Sequence, residues 1–316
     1  MTEPKVSIAV VGAGAVGSYY GALLARAGHA VTLIGRAPHV AAILDKGLML
    51  HKGGTVEAVR LNASTEIAAV SGADLVLCCV KSTDTDAAAR AMAPHLRADA
   101  LVLSLQNGVD NAATLAAQLR NPVLAAAVYV ATAMPGPGSV QHFGRGDLVI
   151  GPVDADAAQD AAVSRQLRRV VKWMASADVP VRVSADVRGE LWRKLMVNCA
   201  YNAISGLAQL PYGKMAALPE VVQMQRAVVQ EVVAVAQAEG VPLALAASLE
   251  AMERIAGAMP AQFSSTAQDM ARGKPSEIDH LNGTVVRLGA RHGIATPVNQ
   301  ALYALVKLIE SARPPG

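Results

Sequence analysis

Short runs of β-branched and other apolar residues at positions 6–11, 30–34, 75–80 and 101–105 alternate with stretches whose apolar residues recur at helical spacing. That alternation predicts a parallel sheet with crossover helices. Gly53-Gly54, set between Leu48-Met49-Leu50 and the apolar run at 56–61, predicts a hairpin inserted after the second helix. Further strands are expected at 123–130, 140–143, 148–150 and 179–183, with a helix over 157–175. From residue 186 the pattern changes. Residues 187–204, 220–239, 244–258, 276–292 and 298–312 repeat at helical spacing, with breaks at Pro211, Pro219, Gly240-Val241-Pro242, Pro260 and Pro297. The expected fold class is α/β, with a doubly wound sheet over residues 1–185 and an all-helical domain over residues 186–316. A cleft between two such domains is the natural place for a substrate.

Composition supports a globular chain. Apolar residues make up 53% of the 316 positions but aromatic residues only 3%, so close-packed helices rich in alanine are expected. The net charge of +3 is not gathered into a basic run, which argues against nucleic acid and anionic membranes as partners. Cys78, Cys79 and Cys199 lack the spacing of a disulfide framework and fit a reducing compartment. The segment Met1-Thr2-Glu3-Pro4-Lys5 leads into a short strand without a signal-type apolar core, and the apolar stretch at 123–134 is too short to span a bilayer. A cytoplasmic protein is expected. The pattern leaves oligomeric state open, with a homodimer as one arrangement.

The first strand ends in Gly12-Ala13-Gly14-Ala15-Val16-Gly17. Three glycines between a strand and a helix permit a tight turn at Gly12, close backbone approach to a pyrophosphate at Gly14, and helix–strand packing at Gly17. The preceding strand, the Gly28-His29 turn and the second strand complete a βαβ unit, so a Rossmann-type dinucleotide site is expected. The second strand is followed by Gly35-Arg36, where an NAD-selective site carries an acidic residue for the ribose hydroxyls. A guanidinium favours a 2′-phosphate, which selects NADPH.

Lys81 and Asn107 each follow a predicted strand, at the carboxyl edge that borders the ligand crevice in such sheets. In the helical half, Lys194, Asn198 and Asn202 recur every four residues and share one helix face. Spacing alone fits a solvated face as well as a site. No histidine set has metal-ligand spacing, and no glycine-flanked serine nucleophile is present.

Together these segments resemble the ketopantoate reductase family over nearly the whole chain. The resemblance rests on the glycine loop, Val80-Lys81, Gln106-Asn107-Gly108, the helix from Lys194 to Asn202, Ser264-Ser265-Thr266-Ala267-Gln268-Asp269 and Glu277-Ile278-Asp279-His280-Leu281-Asn282-Gly283. It implies a Rossmann domain followed by a helical domain, and reduction of 2-dehydropantoate to pantoate by NADPH on the route to pantothenate and coenzyme A. It further implies Lys194 as general acid, Asn198, Asn202, Ser264 and Asn107 as substrate contacts, Glu277 as a residue of both catalysis and binding, and Lys81 and Asn107 on the cofactor side. The chain departs from some members at residues 207–213, which hold no asparagine for substrate, and it carries Ser276 where many have threonine.

In the implied reaction hydride passes from NADPH to the ketone carbon while Lys194 protonates the developing alkoxide. An ordinary lysine, with pKa about 10.4, is a weak acid at neutral pH. Burial lowers that value and a nearby Glu277 opposes the shift. Two other readings stand beside this one: a reductase of the same architecture acting on another 2-oxo or 3-hydroxy acid, and a non-catalytic NADP-sensing protein. The polar set at Lys194, Asn198, Asn202 and Glu277 argues against the sensor, which needs no proton donor.

Overall fold

A computed structural model describes residues 5–154 and 159–312. Residues 1–4, and the expected helix start at 157–158, lie outside the described residues. The chain divides into two compact units, Met1–Arg188 and Gly189–Gly316.

The first unit begins with β1 (Ser7–Val11), α1 (Ala15–Arg26), β2 (Ala30–Ile34) and α2 (Ala37–Lys46). The hairpin β3 (Leu48–Lys52) and β4 (Thr55–Val59) follows, then β5 (Asn62–Ser64), β6 (Leu75–Cys78), α3 (Thr85–Met92), β7 (Leu101–Ser104) and α4 (Asn111–Gln118). It ends with β8 (Val123–Ala133), β9 (Ser139–Pro152), α5 (Ala161–Ala175) and β10 (Val181–Val183). The strand order is β4-β3-β9-β8-β7-β6-β1-β2-β5, with β10 paired to β9. β1 is flanked by β2 on one side and β6 on the other, both parallel to it. The connections therefore diverge at β1, which makes its carboxyl end the switch point of the sheet.

Alternation along the strands sorts the two faces. Ile8, Val10, Leu75, Leu77, Leu101 and Leu103 pack with Tyr20 and Leu24 of α1 and Val170 and Met174 of α5. Ala9, Val11, Val76, Cys78 and Val102 pack in a second layer with Met92 of α3 and Leu115 of α4. Strands buried on both sides read as continuous apolar runs, which is why the pattern predicted a parallel sheet.

The sheet is in fact mixed. β8 and β9 run antiparallel, as do β3 and β4. Only residues 134–138 join β8 to β9, too short a link for a parallel crossover. The two strands expected at 140–143 and 148–150 are one strand, because the ladder runs on through Arg145, opposite Val130, and Gly144, opposite Ala131, and leaves only Gly146 and Phe143 as extra residues. The register shifts fall between Tyr129 and Val130 and between Ala131 and Thr132, and Arg145 sits at φ 57°.

Among the described residues the second unit holds helices and no strand: α6 (Val187–Ala208, beginning just before the division), α7 (Tyr212–Met215), α8 (Pro219–Ala238), α9 (Leu245–Ala258), α10 (Ser265–Ala271), α11 (Asn282–His292) and α12 (Pro297–Ser311). α8 packs against α9, α11 and α12. The helix expected over 276–292 is a 3-10 turn, Ile278–His280, then α11, with Leu281 outside the helical region at φ −107°, ψ −105°. That break frees the Asn282 amide for the interior. The Glu231 carboxylate of α8 accepts hydrogen bonds from the backbone N–H of Val298 and Asn299, each 2.9 Å, and so holds the first turn of α12.

One buried polar chain links the glycine segment to distant parts of the first unit. The Gly138 N–H donates to His39 Nδ1 at 2.8 Å, His39 Nε2 lies 3.1 Å from Ser18 Oγ, and Ser18 Oγ donates to the Ala13 carbonyl at 3.3 Å. Because Nδ1 is an acceptor, the neutral ring carries its proton on Nε2. Burial lowers the His39 pKa below its usual 6.5. A lowered native value means that this group's contribution to stability is present above pH 6.5 and is lost as pH falls through the native value. Melting curves from about pH 7 to about pH 5 should therefore fall more steeply for wild type than for His39→Gln; parallel curves would contradict this.

Candidate active site

In the first unit the glycine loop is built on backbone contacts. Gly12 sits at φ 100°, and a Cβ there would lie 2.5 Å from the Val80 nitrogen; a Cβ on Gly17 would lie 2.3 Å from the Gly12 oxygen. Neither position admits a side chain without moving β6 or α1. The N–H groups of Gly12 and Ala13 both donate to the Ile34 carbonyl, at 3.0 and 2.9 Å, fastening the loop to the end of β2. Gly14 differs: a Cβ there would meet nothing within 4 Å, and Gly14 caps α1 without a side-chain hydrogen bond. The helix N-terminus at Gly14, Ala15 and Val16 thus opens onto space fit for a phosphate group. These residues fit a dinucleotide diphosphate. Arg36, exposed, caps α2, and Gly35 approaches Ala13 so closely that a Cβ would lie 2.7 Å from the Ala13 Cβ. The arginine therefore stands beside the loop.

The turns carrying Lys81 and Asn107 are joined by a buried network absent from the sequence reading. Gln106 Nε2 donates to Thr85 Oγ1 at 2.7 Å and to the Val80 carbonyl at 3.2 Å, while Ser104 Oγ donates to Gln106 Oε1 at 3.1 Å. Thr85 Oγ1 donates to Asn111 Oδ1 at 2.7 Å, and Asn111 Nδ2 donates to Ser82 Oγ at 3.1 Å. Ser82 Oγ and Asn111 Nδ2 both donate to the Asn107 carbonyl. Two donors on that oxygen fix the peptide of Asn107 and so the direction from which its side chain leaves. Lys81 and Asn107 are both half-buried.

In the second unit, Lys194 and Asn198 on α6 are half-buried and Asn202 is 3% exposed, so the polar face runs inward along the helix. Asn202 Nδ2 donates to Ser265 Oγ at 3.4 Å, and the Tyr212 hydroxyl donates to Asn202 Oδ1 at 3.5 Å. Burial, with the neighbouring Tyr201, raises the Tyr212 pKa, so its phenol keeps the proton it donates. Ser264, expected to meet substrate, is 1% exposed and caps α10: its hydroxyl donates to the Asn202 carbonyl at 3.1 Å and accepts from the Ala267 N–H at 3.0 Å. The hydroxyl on the accessible side is that of Ser265, which is exposed. The cap was legible as Ser before Ser-Thr-Ala; the pair of serines hid which one faces outward.

Two further side-chain amides fix this stretch of α6. Asn282 Nδ2 donates to the Cys199 carbonyl and Gln225 Nε2 to the Ala200 carbonyl, both at 3.2 Å. Asn282 also donates to Asn299 Oδ1 at 2.9 Å, and Asn299 Nδ2 donates to Glu231 at 2.7 Å. Glu277 is half-buried at the start of the 3-10 turn. Two residues on, Asp279 is held by the Tyr303 hydroxyl at 2.7 Å and Lys307 at 2.9 Å. Burial raises the Asp279 pKa, but these hydrogen bonds outweigh it and bring the net value down. Among the described residues no cluster of histidine, cysteine, aspartate or glutamate forms a metal site. Burial raises the pKa of all three cysteine thiols, that of Cys78 to about 12, which disfavours the thiolate that a nucleophile needs.

The family model for ketopantoate reductase PanE/ApbA matches residues 8–155, and that for its C-terminal part matches residues 186–310. The chain belongs to the ketopantoate reductase family. A curated 2-dehydropantoate 2-reductase of Halobacterium salinarum is 35% identical over 306 residues, covering 96% of this chain and 98% of that protein. The crystal structure of a PanE/ApbA family ketopantoate reductase from Ralstonia eutropha JMP134 is 53% identical, covers 96% of this chain and 98% of its own, and superposes with a TM-score of 0.88. A D-mandelate dehydrogenase solved with NADH and anilino(oxo)acetate reaches 0.89 at 24% identity, covering 97% of this chain and 99% of its own. That last likeness is one of fold. As a ketopantoate reductase family member, the chain is an oxidoreductase acting on CH–OH groups, built on a Rossmann-like N-terminal fold. No described helix is long and apolar enough to cross a membrane.

Removing the Asn111 amide takes one partner each from Ser82, Thr85 and the Asn107 carbonyl, all in a buried setting. Asn111→Ala should lower unfolding free energy by about 1–3 kcal/mol, measured by urea denaturation; an unchanged midpoint would mean that the network contributes nothing to holding these turns.

Proposed function

We propose that this protein reduces 2-dehydropantoate to pantoate with NADPH, in pantothenate and coenzyme A biosynthesis. The observation that carries the reading is the inward polar face of Lys194, Asn198 and Asn202, with Ser265 on the Asn202 amide, in a chain of this family. Residues 1–185 serve as the nucleotide-binding domain and residues 186–316 as the substrate domain.

When bound, the nicotinamide cofactor supplies the hydride. The backbone at Gly12 to Gly17 receives the diphosphate, and Arg36 pairs with the 2′-phosphate through charged hydrogen bonds. Lys81 and Asn107 line the cofactor side, Asn107 also reaching substrate. Lys194 steadies the charge that grows on the ketone oxygen and gives it a proton. Asn198, Asn202 and Ser265 hold the 2-oxo acid, with Ser264 behind them setting the Asn202 carbonyl. Glu277 assists binding and proton delivery, since its neighbour Asp279 is engaged with Lys307 and Tyr303. The unbridged thiols of Cys78, Cys79 and Cys199 agree with a cytoplasmic setting.

A second reading is favoured by Tyr212. It stands in the stretch where some family members place a substrate-binding asparagine, and its phenol meets Asn202 instead. A 2-oxo acid other than 2-dehydropantoate would be the substrate. Steady-state NADPH oxidation with 2-dehydropantoate and a panel of 2-oxo acids decides between them: the highest kcat/KM should belong to 2-dehydropantoate, and a higher value for another acid transfers the assignment to it.

Two variants test the roles. Lys194→Ala should lower kcat by about 10²–10⁴-fold with NADPH affinity little changed, and near-normal turnover removes it as the acid. Arg36→Ala should weaken NADPH by about tenfold or more while leaving NADH almost untouched. Equal effects on the two cofactors would remove Arg36 from the 2′-phosphate.

A further inference from the structure

The hydroxyl of Ser18 reaches past its own helix. A serine in a helix usually returns its proton to a carbonyl three or four residues back. Here the acceptor is Ala13, five residues back and before the Gly14 cap. Ser18 is 0% exposed and His39 is 6% exposed, so neither hydrogen bond competes with bulk water.

The order of protons along the chain is fixed from its far end. The Gly138 N–H can only donate, so His39 Nδ1 accepts and Nε2 carries the ring proton. That proton goes to Ser18 Oγ, and Ser18 is left to give its own proton to the Ala13 oxygen. Each bond in such a series strengthens the next. In a trans peptide the C=O and the following N–H point in opposite directions. Drawing the Ala13 carbonyl inward to Ser18 therefore turns the Gly14 N–H the opposite way, at a residue where an added Cβ would meet nothing within 4 Å.

We propose that Ser18 and His39 are positioning residues for the dinucleotide: through the Ala13 carbonyl they aim the Gly14 N–H at the diphosphate. The proposal rests on the nucleotide reading above. It assigns to α2 and the β8–β9 turn a part in holding phosphate that neither plays by contact. The diphosphate is common to NADPH and NADH, so the relay acts on both alike, whereas Arg36 acts on NADPH alone.

The test is fluorescence titration of the full chain with NADPH and with NADH, alongside the melting temperature of each unliganded variant. Ser18→Ala should raise both dissociation constants by the same factor, on the order of tenfold. His39→Leu should act in the same direction and by less, because Ser18 keeps its proton but loses the donor that orders it. The double variant should match Ser18→Ala alone, since the histidine acts only through the serine. His39→Gln, which can present an N–H to Ser18, should lie within about threefold of wild type. If His39→Leu does not fold, Ser18→Ala carries the test. A folded Ser18→Ala with unchanged dissociation constants overturns the proposal, whatever its melting temperature, and so does a loss confined to NADPH. Failure of wild type to bind either dinucleotide instead overturns the nucleotide reading on which it rests.

Discussion

The constraint on which the first unit depends is a backbone-to-backbone approach that leaves no room for a side chain. The loop after β1 lies against the end of β6 so closely that a Cβ on Gly12 would overlap the Val80 nitrogen and the Cys79 carbonyl. Gly17 brings α1 onto the same loop. The end of β2 closes the third side through the shared Ile34 carbonyl and the approach of Gly35 to Ala13. Arg36 begins where β2 releases the chain, and Lys81 follows directly on the Val80 contact. Both take their positions from the loop. The apolar layers on the two faces of β1 keep it there, because displacement of the strand would open both at once.

Orientation is then supplied by neutral amides. In the first unit Gln106 and Asn111 clasp two turns, and in the second Gln225 and Asn282 clasp the middle of α6, with Asn299 holding Asn282. An amide offers donors and an acceptor together, and its burial avoids the cost of desolvating an ion. The one charge drawn into the second arrangement, Glu231, is met by two backbone N–H groups and the Asn299 amide. The fit is not complete. Gln225 Oε1, Asn282 Oδ1 and Thr266 Oγ1 are buried without a partner. Both amides with an orphaned oxygen use their nitrogen on α6, so the helix is held at some cost in stability. That is the trade expected where the placement of a helix outweighs the last increment of folding energy.

What the chain disclosed before any coordinates followed from the range of the interactions involved. The glycine loop and the second strand were readable because steric exclusion and strand–helix periodicity act within about thirty residues. The long helices were readable from spacing for the same reason. The union of two expected strands into β9 was not, since the residues that read as breaks, Gly144 and Gly146 around Arg145, are accommodated only by the ladder with β8. The short helices α7 and α10 are each too brief to show a period. Ser264 and Ser265 were distinguishable only by which one faces the core. The links from Ser18 to His39 and from Asn282 to Cys199 are tertiary side-chain contacts, 21 and 83 positions apart, that no periodicity or turn motif announces.

Position within a single turn gives Asp279 a structural task in the second unit. Glu277 and Asp279 are two residues apart at the start of a 3-10 turn, and with three residues per turn such neighbours point in different directions. Asp279 faces α12, where Lys307 and Tyr303 fix it as an ionised, fully engaged carboxylate. An acid so held is a poor proton carrier, because protonation would remove the charge that both donors meet. Its charge instead anchors the turn to α12, and the Ser276 N–H adds a second tie through Glu310 at 2.7 Å. The backbone on either side of Glu277 is thus fixed by its neighbours, so the direction in which its side chain leaves the turn is set from both sides.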